Sequence, residues 1–180
     1  MISIRRARPA DAPAIGDIHA AVWQSSYAGI LPDAYLAGLS APRLAGFYQR
    51  AIGDRREGHA VFVACAGGAV VGFASGGRAR RPGLAEGEVE TLYLLEDWRE
   101  RGAGRRLMRA MGAHLRAVGC RSAMLWVLAE NPTRWFYRHL GGKEAAREEI
   151  RVGGRVVAQS AFLWDPIESL LAATAPAQER

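Results

Sequence analysis

Cysteine, histidine and long apolar runs are scarce in this chain of 180 residues. The two cysteines, Cys65 and Cys120, lie in apolar stretches without metal-type spacing, which favours buried free thiols over a disulfide or a ligand pair. The four histidines are scattered, which argues against a metal centre. No run is long enough to span a membrane, and the N-terminal segment lacks the apolar core of a signal peptide. We therefore expect a cytoplasmic protein with no metal and no membrane partner.

The composition that is present is that of an ordinary globular protein, with 49% hydrophobic and 23% charged residues. The length suits one domain with one core. The formal net charge is +6 and is carried mostly by arginine. Such a balance favours an anionic ligand, or else a solvated arginine-rich surface. No basic patch is interleaved with aromatic residues, so a nucleic-acid partner is not expected.

The order of hydrophobic patterns predicts a mixed α/β sheet flanked by helices. The predicted strands are 2–7, 59–66, 69–76, 88–95, 122–128, 148–154 and 155–164. The predicted helices are 15–27, short pieces within 28–52, 102–118 and 131–142. Residues 1–165 are expected to form the domain, and 166–180 a C-terminal helix or tail.

The stretch "DWRERGAGRRLMRAM", 97–111, joins a predicted strand to a predicted helix through two glycines. N–H groups at the start of a helix carry the positive end of its dipole and suit a phosphate. Gly102 and Gly104 let the backbone approach an anion without a Cβ in the way. Four surrounding arginines add positive charge: Arg99, Arg101, Arg105 and Arg106. The stretch predicts a pyrophosphate site, with a plain tight turn as the alternative.

Two common phosphate motifs are absent from this stretch. A Walker loop would end in Gly-Lys-Ser/Thr, which the stretch does not contain. A dinucleotide fingerprint needs a third glycine three residues after Gly104, where Leu107 stands. The anion site is therefore of another kind.

The segment "EVETLYLLEDWRERGAGRRLM", 88–108, resembles the signature of the GNAT superfamily of N-acetyltransferases, a strand followed by Arg/Gln-X-X-Gly-X-Gly/Ala at a helix start. Arg99, Gly102 and Gly104 fill that signature. Downstream, "LWVLAENPTRWFYRHLGG", 125–142, is similar to the second signature of the family, a strand, then Asn, then Phe-Tyr-X-X-X-Gly. Its places are held by Asn131, Phe136, Tyr137 and Gly141. Two motifs at the expected separation are more specific than either alone.

The resemblance implies the GNAT fold: a mixed, mostly antiparallel central sheet of about six or seven strands, flanked by helices, whose central strands splay apart. It implies acetyl-CoA as cosubstrate, with the backbone around the glycines on the pyrophosphate and the end of strand 88–95 paired with the pantetheine arm. The residues implied to bind it are Leu92, Tyr93, Leu94, Arg99, Glu100, Arg101, Gly102, Ala103, Gly104, Arg105, Asn131 and Tyr137.

Acyl transfer to an amine needs a group that takes a proton from the ammonium, and it benefits from an acid that protonates the departing thiolate. The resemblance makes Tyr137 the candidate acid. Glu88 and Glu90 are the candidate bases, and Glu88 stands eleven residues before Arg99, the spacing of the catalytic glutamate in histone-type relatives. Alternation along a strand predicts that both glutamates share a face with Leu92 and Leu94. The alternatives are two surface glutamates, or proton transfer through ordered water.

The family builds its acceptor site from the segment after the first helix and the loop before the glycine-side strand. Trp23, Tyr27 and Glu88 are candidates to line it, with core packing as the alternative for the two aromatic residues. We thus expect an N-acetyltransferase that moves acetyl from acetyl-CoA to a primary amine by direct attack in a ternary complex. The alternative is a non-catalytic acyl-CoA-binding or sensor module on the same fold. The acceptor, a small molecule or a peptide amine, stays open, as does a homodimer.

Overall fold

The computed structural model describes residues 1–54 and 56–176, in which helices cover both faces of a seven-stranded sheet. The strands are β1 (Ile2–Arg6), β2 (Ala60–Ala66), β3 (Ala69–Arg78), β4 (Gly87–Leu94), β5 (Ala123–Leu128), β6 (Lys143–Val152) and β7 (Arg155–Trp164). The helices are α1 (Ala12–Ser26), α2 (Asp33–Ala37), α3 (Ala41–Gly53), α4 (Ala103–Ala117), α5 (Arg134–His139) and α6 (Glu168–Ala173).

The strands follow the order β1-β2-β3-β4-β5-β7-β6 across the sheet. All neighbouring pairs are antiparallel except β4 and β5, which run parallel. Parallel neighbours need a crossover connection, and α4 supplies it. The predicted mixed, mostly antiparallel sheet of six or seven strands is confirmed.

Alternate residues of the strands face two separate cores. On β2, Ala64 packs towards α4, whereas Val61 and Val63 pack towards α1 and α3. Ile167 and Leu170, at the start of the C-terminal helix α6, are fully buried in the same core as α4. The sequence predicts a C-terminal helix or tail at 166–180. The last four residues of that segment, 177–180, lie outside the described residues.

Helix α4 forms where the sequence period changes from two to about 3.6. Its apolar side chains recur on one face and are fully buried: Leu107, Met108, Met111 and Leu115. Each such burial contributes roughly 1.5–3 kcal/mol. Arg105 and Arg106 lie on the exposed face. This packing fixes the start of α4 beside the end of β4.

The parallel strands β4 and β5 pair only at Gly87–Ala123 and Glu88–Met124 and then separate. A bulge in β4 accompanies the separation. Ser75 of β3 pairs with Thr91 and the next residue, Gly76, pairs with Val89, so Glu90 has no partner opposite it.

The bulge overturns the predicted alternation of β4. Val89 packs in the core on the α4 side together with Leu92, three residues further on. The expectation that Glu88 and Glu90 share a face with Leu92 is therefore wrong, because the inserted residue shifts the alternation by one.

The close approach of α1 to α3 depends on Gly16. A Cβ at this position would lie 2.5 Å from the carbonyl oxygen of Ala41 and 2.7 Å from the amide nitrogen of Ala45. Gly16→Val should therefore force the helices apart and lower the free energy of unfolding by about 1–3 kcal/mol, as overpacking does. Urea unfolding measures this change.

The matched control is Gly46→Ala on α3, where the nearest atom to a new Cβ is the Arg50 guanidinium at 3.8 Å. Alanine favours the helix over glycine by about 0.5–1 kcal/mol, so this variant should be as stable as the wild type or more so. Equal stability of the two variants would contradict the tight helix contact.

Candidate active site

The space between β4 and β5 is a pocket of about 420 Å³. Twelve of the sixteen residues suggested by the sequence line it: Tyr27, Glu90, Leu92, Tyr93, Leu94, Arg99, Glu100, Gly102, Gly104, Arg105, Asn131 and Tyr137. The other four, Trp23, Glu88, Arg101 and Ala103, do not. The separation of the two strands thus brings most of the suggested residues around one cavity.

The glycine loop turns tightly into α4. Gly102 has φ +79 and Glu100 has φ +59, a conformation that glycine adopts freely and glutamate rarely does. A Cβ on Gly104 would lie 3.3 Å from the Phe136 ring and 3.4 Å from Leu94. The first N–H groups of α4 therefore lie at the pocket. A side chain larger than that of glycine at position 104 would crowd α5 and β4.

Two arginines frame this loop. Arg99 donates hydrogen bonds to the Leu94 carbonyl at 3.4 Å and to the Ser26 hydroxyl at 3.1 Å, which ties the loop to β4 and to the end of α1. Arg105 donates to the Ala175 carbonyl at 2.9 Å. Both side chains line the pocket, so the loop carries positive charge at its opening. Arg101 instead lies over the Trp98 ring, 5.1 Å from its centre.

The edge of β4 towards β5 has no strand partner beyond Glu88. Leu92, Tyr93 and Leu94 line the pocket along this edge, while β3 pairs with their other side. Backbone N–H and C=O groups on an unpaired edge need partners, and an extended ligand with amide groups can supply them.

Tyr137 lines the pocket and is 6% exposed, and its ring centre lies 5.4 Å from that of Phe136 and 6.0 Å from that of Phe162. Burial raises the pKa of its phenol well above the ordinary value of 10.0. The hydroxyl therefore keeps its proton at neutral pH and can act as a donor.

Asn131 is held by Tyr27 and Thr133. Its amide nitrogen donates to the Tyr27 hydroxyl at 3.2 Å, and its oxygen accepts from the amide and the hydroxyl of Thr133 at 3.0 and 2.7 Å. Burial raises the pKa of Tyr27, and the hydrogen bond from Asn131 offsets part of that rise. Asn131 thus joins the end of α1 to the start of the α5 region.

The two candidate bases have different surroundings. Glu88 is 2% exposed, and its carboxylate accepts from the backbone amide and the guanidinium of Arg80, at 2.6 Å for the shortest contact. Glu90 lines the pocket, with His59 3.7 Å and Arg80 3.9 Å from its oxygens. Burial pushes the pKa of Glu90 up, but His59 and Arg80 outweigh it and hold the pKa below 4.5. Glu90 is therefore ionised at neutral pH at the pocket wall.

Residues 23–141 match the family described as "Acetyltransferase (GNAT) family". The uncharacterized N-acetyltransferase YuaI of Bacillus subtilis is 30% identical over 94% of this chain and 96% of its own length. The chain belongs to the GNAT acetyltransferase family. The family and enzyme class expected from the two sequence motifs are confirmed.

Solved GNAT structures share the fold. The PaiA N-acetyltransferase of Thermoplasma acidophilum, in complex with coenzyme A, has a TM-score of 0.68 at 17% identity, over 89% of this chain and 98% of its own. A phosphinothricin acetyltransferase of Sinorhizobium meliloti, in complex with acetyl-CoA, has a TM-score of 0.68 at 22% identity, over 91% and 87%. These similarities confirm the splayed α/β sheet as the GNAT architecture.

Some pocket residues of this GNAT chain have no signal in its sequence. Val22 and Ser26 of α1 line the pocket but belong to neither motif. Trp23, suggested for the acceptor site, packs edge-on against Tyr27 at 4.9 Å between ring centres. Its buried indole nitrogen has no hydrogen-bond partner among residues 1–54 and 56–176. The contribution of α1 to the pocket depends on tertiary packing, which local motifs do not record.

Within the described part of this GNAT chain, no three His, Cys, Asp or Glu side chains gather closely enough to hold a metal ion. None of the helices described there is long and apolar enough to cross a membrane. Cys65 and Cys120 are both buried free thiols, as their apolar surroundings predict.

Proposed function

We propose that this GNAT protein transfers an acetyl group from acetyl-CoA to a primary amine by direct attack within a ternary complex. The observation that carries the proposal is that one pocket is lined by the glycine loop, the open edge of β4, an ionised Glu90 and a protonated Tyr137. A cofactor site and an acid–base pair thus share one cavity.

The glycine loop has the chemistry to hold the pyrophosphate of CoA. Its helix-start amides, the Gly104 position without a Cβ and the side chains of Arg99 and Arg105 suit a doubly charged anion. The open backbone of Leu92 to Leu94 suits the amide groups of the pantetheine arm. When bound, acetyl-CoA would supply a thioester carbonyl for attack by a neutral amine.

Two side chains of the chain can handle the protons. The Glu90 carboxylate can accept a proton from the ammonium, because it is ionised and reaches the pocket wall. The Tyr137 hydroxyl can donate to the departing thiolate, because burial keeps it protonated. We do not propose Glu88 as the base, because its carboxylate accepts hydrogen bonds from the Arg80 guanidinium.

We expect the two glutamates to respond differently to loss of charge. Glu90→Gln should lower kcat by about 10²–10⁴-fold, the usual contribution of general base catalysis, with the Kd for acetyl-CoA unchanged. Glu88→Gln keeps the shape but removes the charge that pairs with Arg80. It should lower the thermal midpoint while leaving kcat nearly unaltered. Thiol release with a panel of primary amines measures kcat.

The pair of variants identifies the base because each serves as the control for the other. A large loss of kcat in Glu88→Gln with normal turnover in Glu90→Gln would assign the base to Glu88 and refute the proposal for Glu90. Tight acetyl-CoA binding by the wild type with no turnover of any amine would favour the non-catalytic binding module.

Gly104→Val tests the placement of the cofactor. The new side chain would push against Phe136 and Leu94 and intrude at the start of α4. We expect the Kd for acetyl-CoA to rise by at least about tenfold, or 1.4 kcal/mol, by calorimetric titration. Gly46→Val on α3, at an open position, should leave the Kd unchanged. Unchanged affinity in Gly104→Val would show that the pyrophosphate binds elsewhere.

A further inference from the structure

The proposed reaction releases a proton that must leave the pocket. An ammonium nitrogen loses two protons when it becomes an amide nitrogen: one ends on the thiol formed as the C–S bond breaks, and the other goes to solvent. The pocket of about 420 Å³ would be filled by its ligands during the reaction. Glu90, with a low pKa, holds a proton only briefly. Glu90 must therefore pass this proton on to solvent, either directly or through a second group.

Glu90 also borders a second pocket, of about 740 Å³, which includes Phe47, Arg50, His59 and Arg80 in its wall. Arg50 and Arg80 are exposed there, so this second pocket is open to solvent. Among the residues that the structure describes, Glu90 alone lines both pockets. It stands at the bulge of β4, where the strand changes face.

His59 is the proton acceptor that faces Glu90 from the second pocket. Its Nε2 lies 3.7 Å from a Glu90 oxygen, and both side chains are nearly equally exposed, at 19% and 18%. One bridging water, or a movement of about 1 Å, connects the two atoms by hydrogen bonds. An imidazole is a stronger base than a carboxylate. Arg80, the other contact of Glu90, is always charged and cannot accept a proton.

We propose that His59 takes the proton from Glu90 and releases it to water in the second pocket, so that the proton does not leave through the pocket proposed to hold acetyl-CoA. The inference rests on the proposed function. In each turnover the proton passes from the ammonium to the Glu90 carboxylate and then to Nε2 of His59. The imidazolium then gives its Nε2 proton to water, which leaves Nε2 free to accept again and restores both groups.

Several charged groups lie around His59. They are Arg50 from α3, Asp54 and Arg56 from the connection that follows, Arg78 at the end of β3, Arg80 just beyond that strand, Glu90 from β4, and His114 from α4. The relay requires a neutral His59, because a protonated imidazole cannot accept a further proton.

The test replaces His59 by Gln in the full-length enzyme, assayed with acetyl-CoA and an amine that the wild type acetylates. We expect kcat to fall by at least about tenfold while the Kd for acetyl-CoA stays unchanged. Imidazole added to the buffer should restore part of kcat, because the second pocket is large enough to admit it.

The matched control is His139→Gln, since His139 is exposed on α5 and bonds only to the Trp135 carbonyl among the described residues. It should keep the kcat of the wild type. An unchanged kcat in His59→Gln, or a loss of kcat that added imidazole does not restore, would overturn the relay. A wild type that acetylates no amine would instead refute the proposed function, and the relay with it.

Discussion

The separation of β4 from β5 is the constraint on which the rest of the site depends. The two parallel strands share paired positions only at Gly87 and Glu88 of β4, after which their facing edges are open. Unpaired backbone groups in a folded interior need partners, so the open edge is a binding surface as well as a cavity wall. The same separation sets the end of β4 beside the first turn of α4. The glycine loop, the open edge of β4 and Glu90 therefore border one cavity at the break in strand pairing.

The bulge at Glu90 gives the two neighbouring glutamates different chemistry. Glu88, before the bulge, is buried against Arg80, where its charge is offset and its oxygens are occupied. Glu90, at the bulge, borders two pockets and contacts both His59 and Arg80. The two carboxylates therefore differ in what they can do. That of Glu88 stabilises the loop after β3, and that of Glu90 can exchange protons. Such division by environment is a general way of tuning acids and bases.

Much of the fold and the cofactor end of the site can be predicted from the sequence, because those features are local. Gly102 and Gly104 mark a helix start, and the period of α4 identifies its buried face. The position of Glu90 could not be predicted in this way. Its bulge arises from the register of β4 against β3, where a Cβ on Gly76 would lie 2.8 Å from Met111. His59 meets Glu90 only through tertiary packing, since the two residues stand 31 positions apart in the chain.

The most direct test of the proposed CoA site between β4 and β5 is calorimetric titration of acetyl-CoA into the purified protein, with NADH and ATP as comparison ligands. Both comparison ligands carry a pyrophosphate, but neither has a pantetheine arm for the open edge of β4. We expect saturable binding of acetyl-CoA with a Kd on the order of micromolar, and much weaker binding of NADH and ATP. Absence of acetyl-CoA binding, or equal binding of NADH, would contradict the assignment of the β4–β5 pocket to CoA.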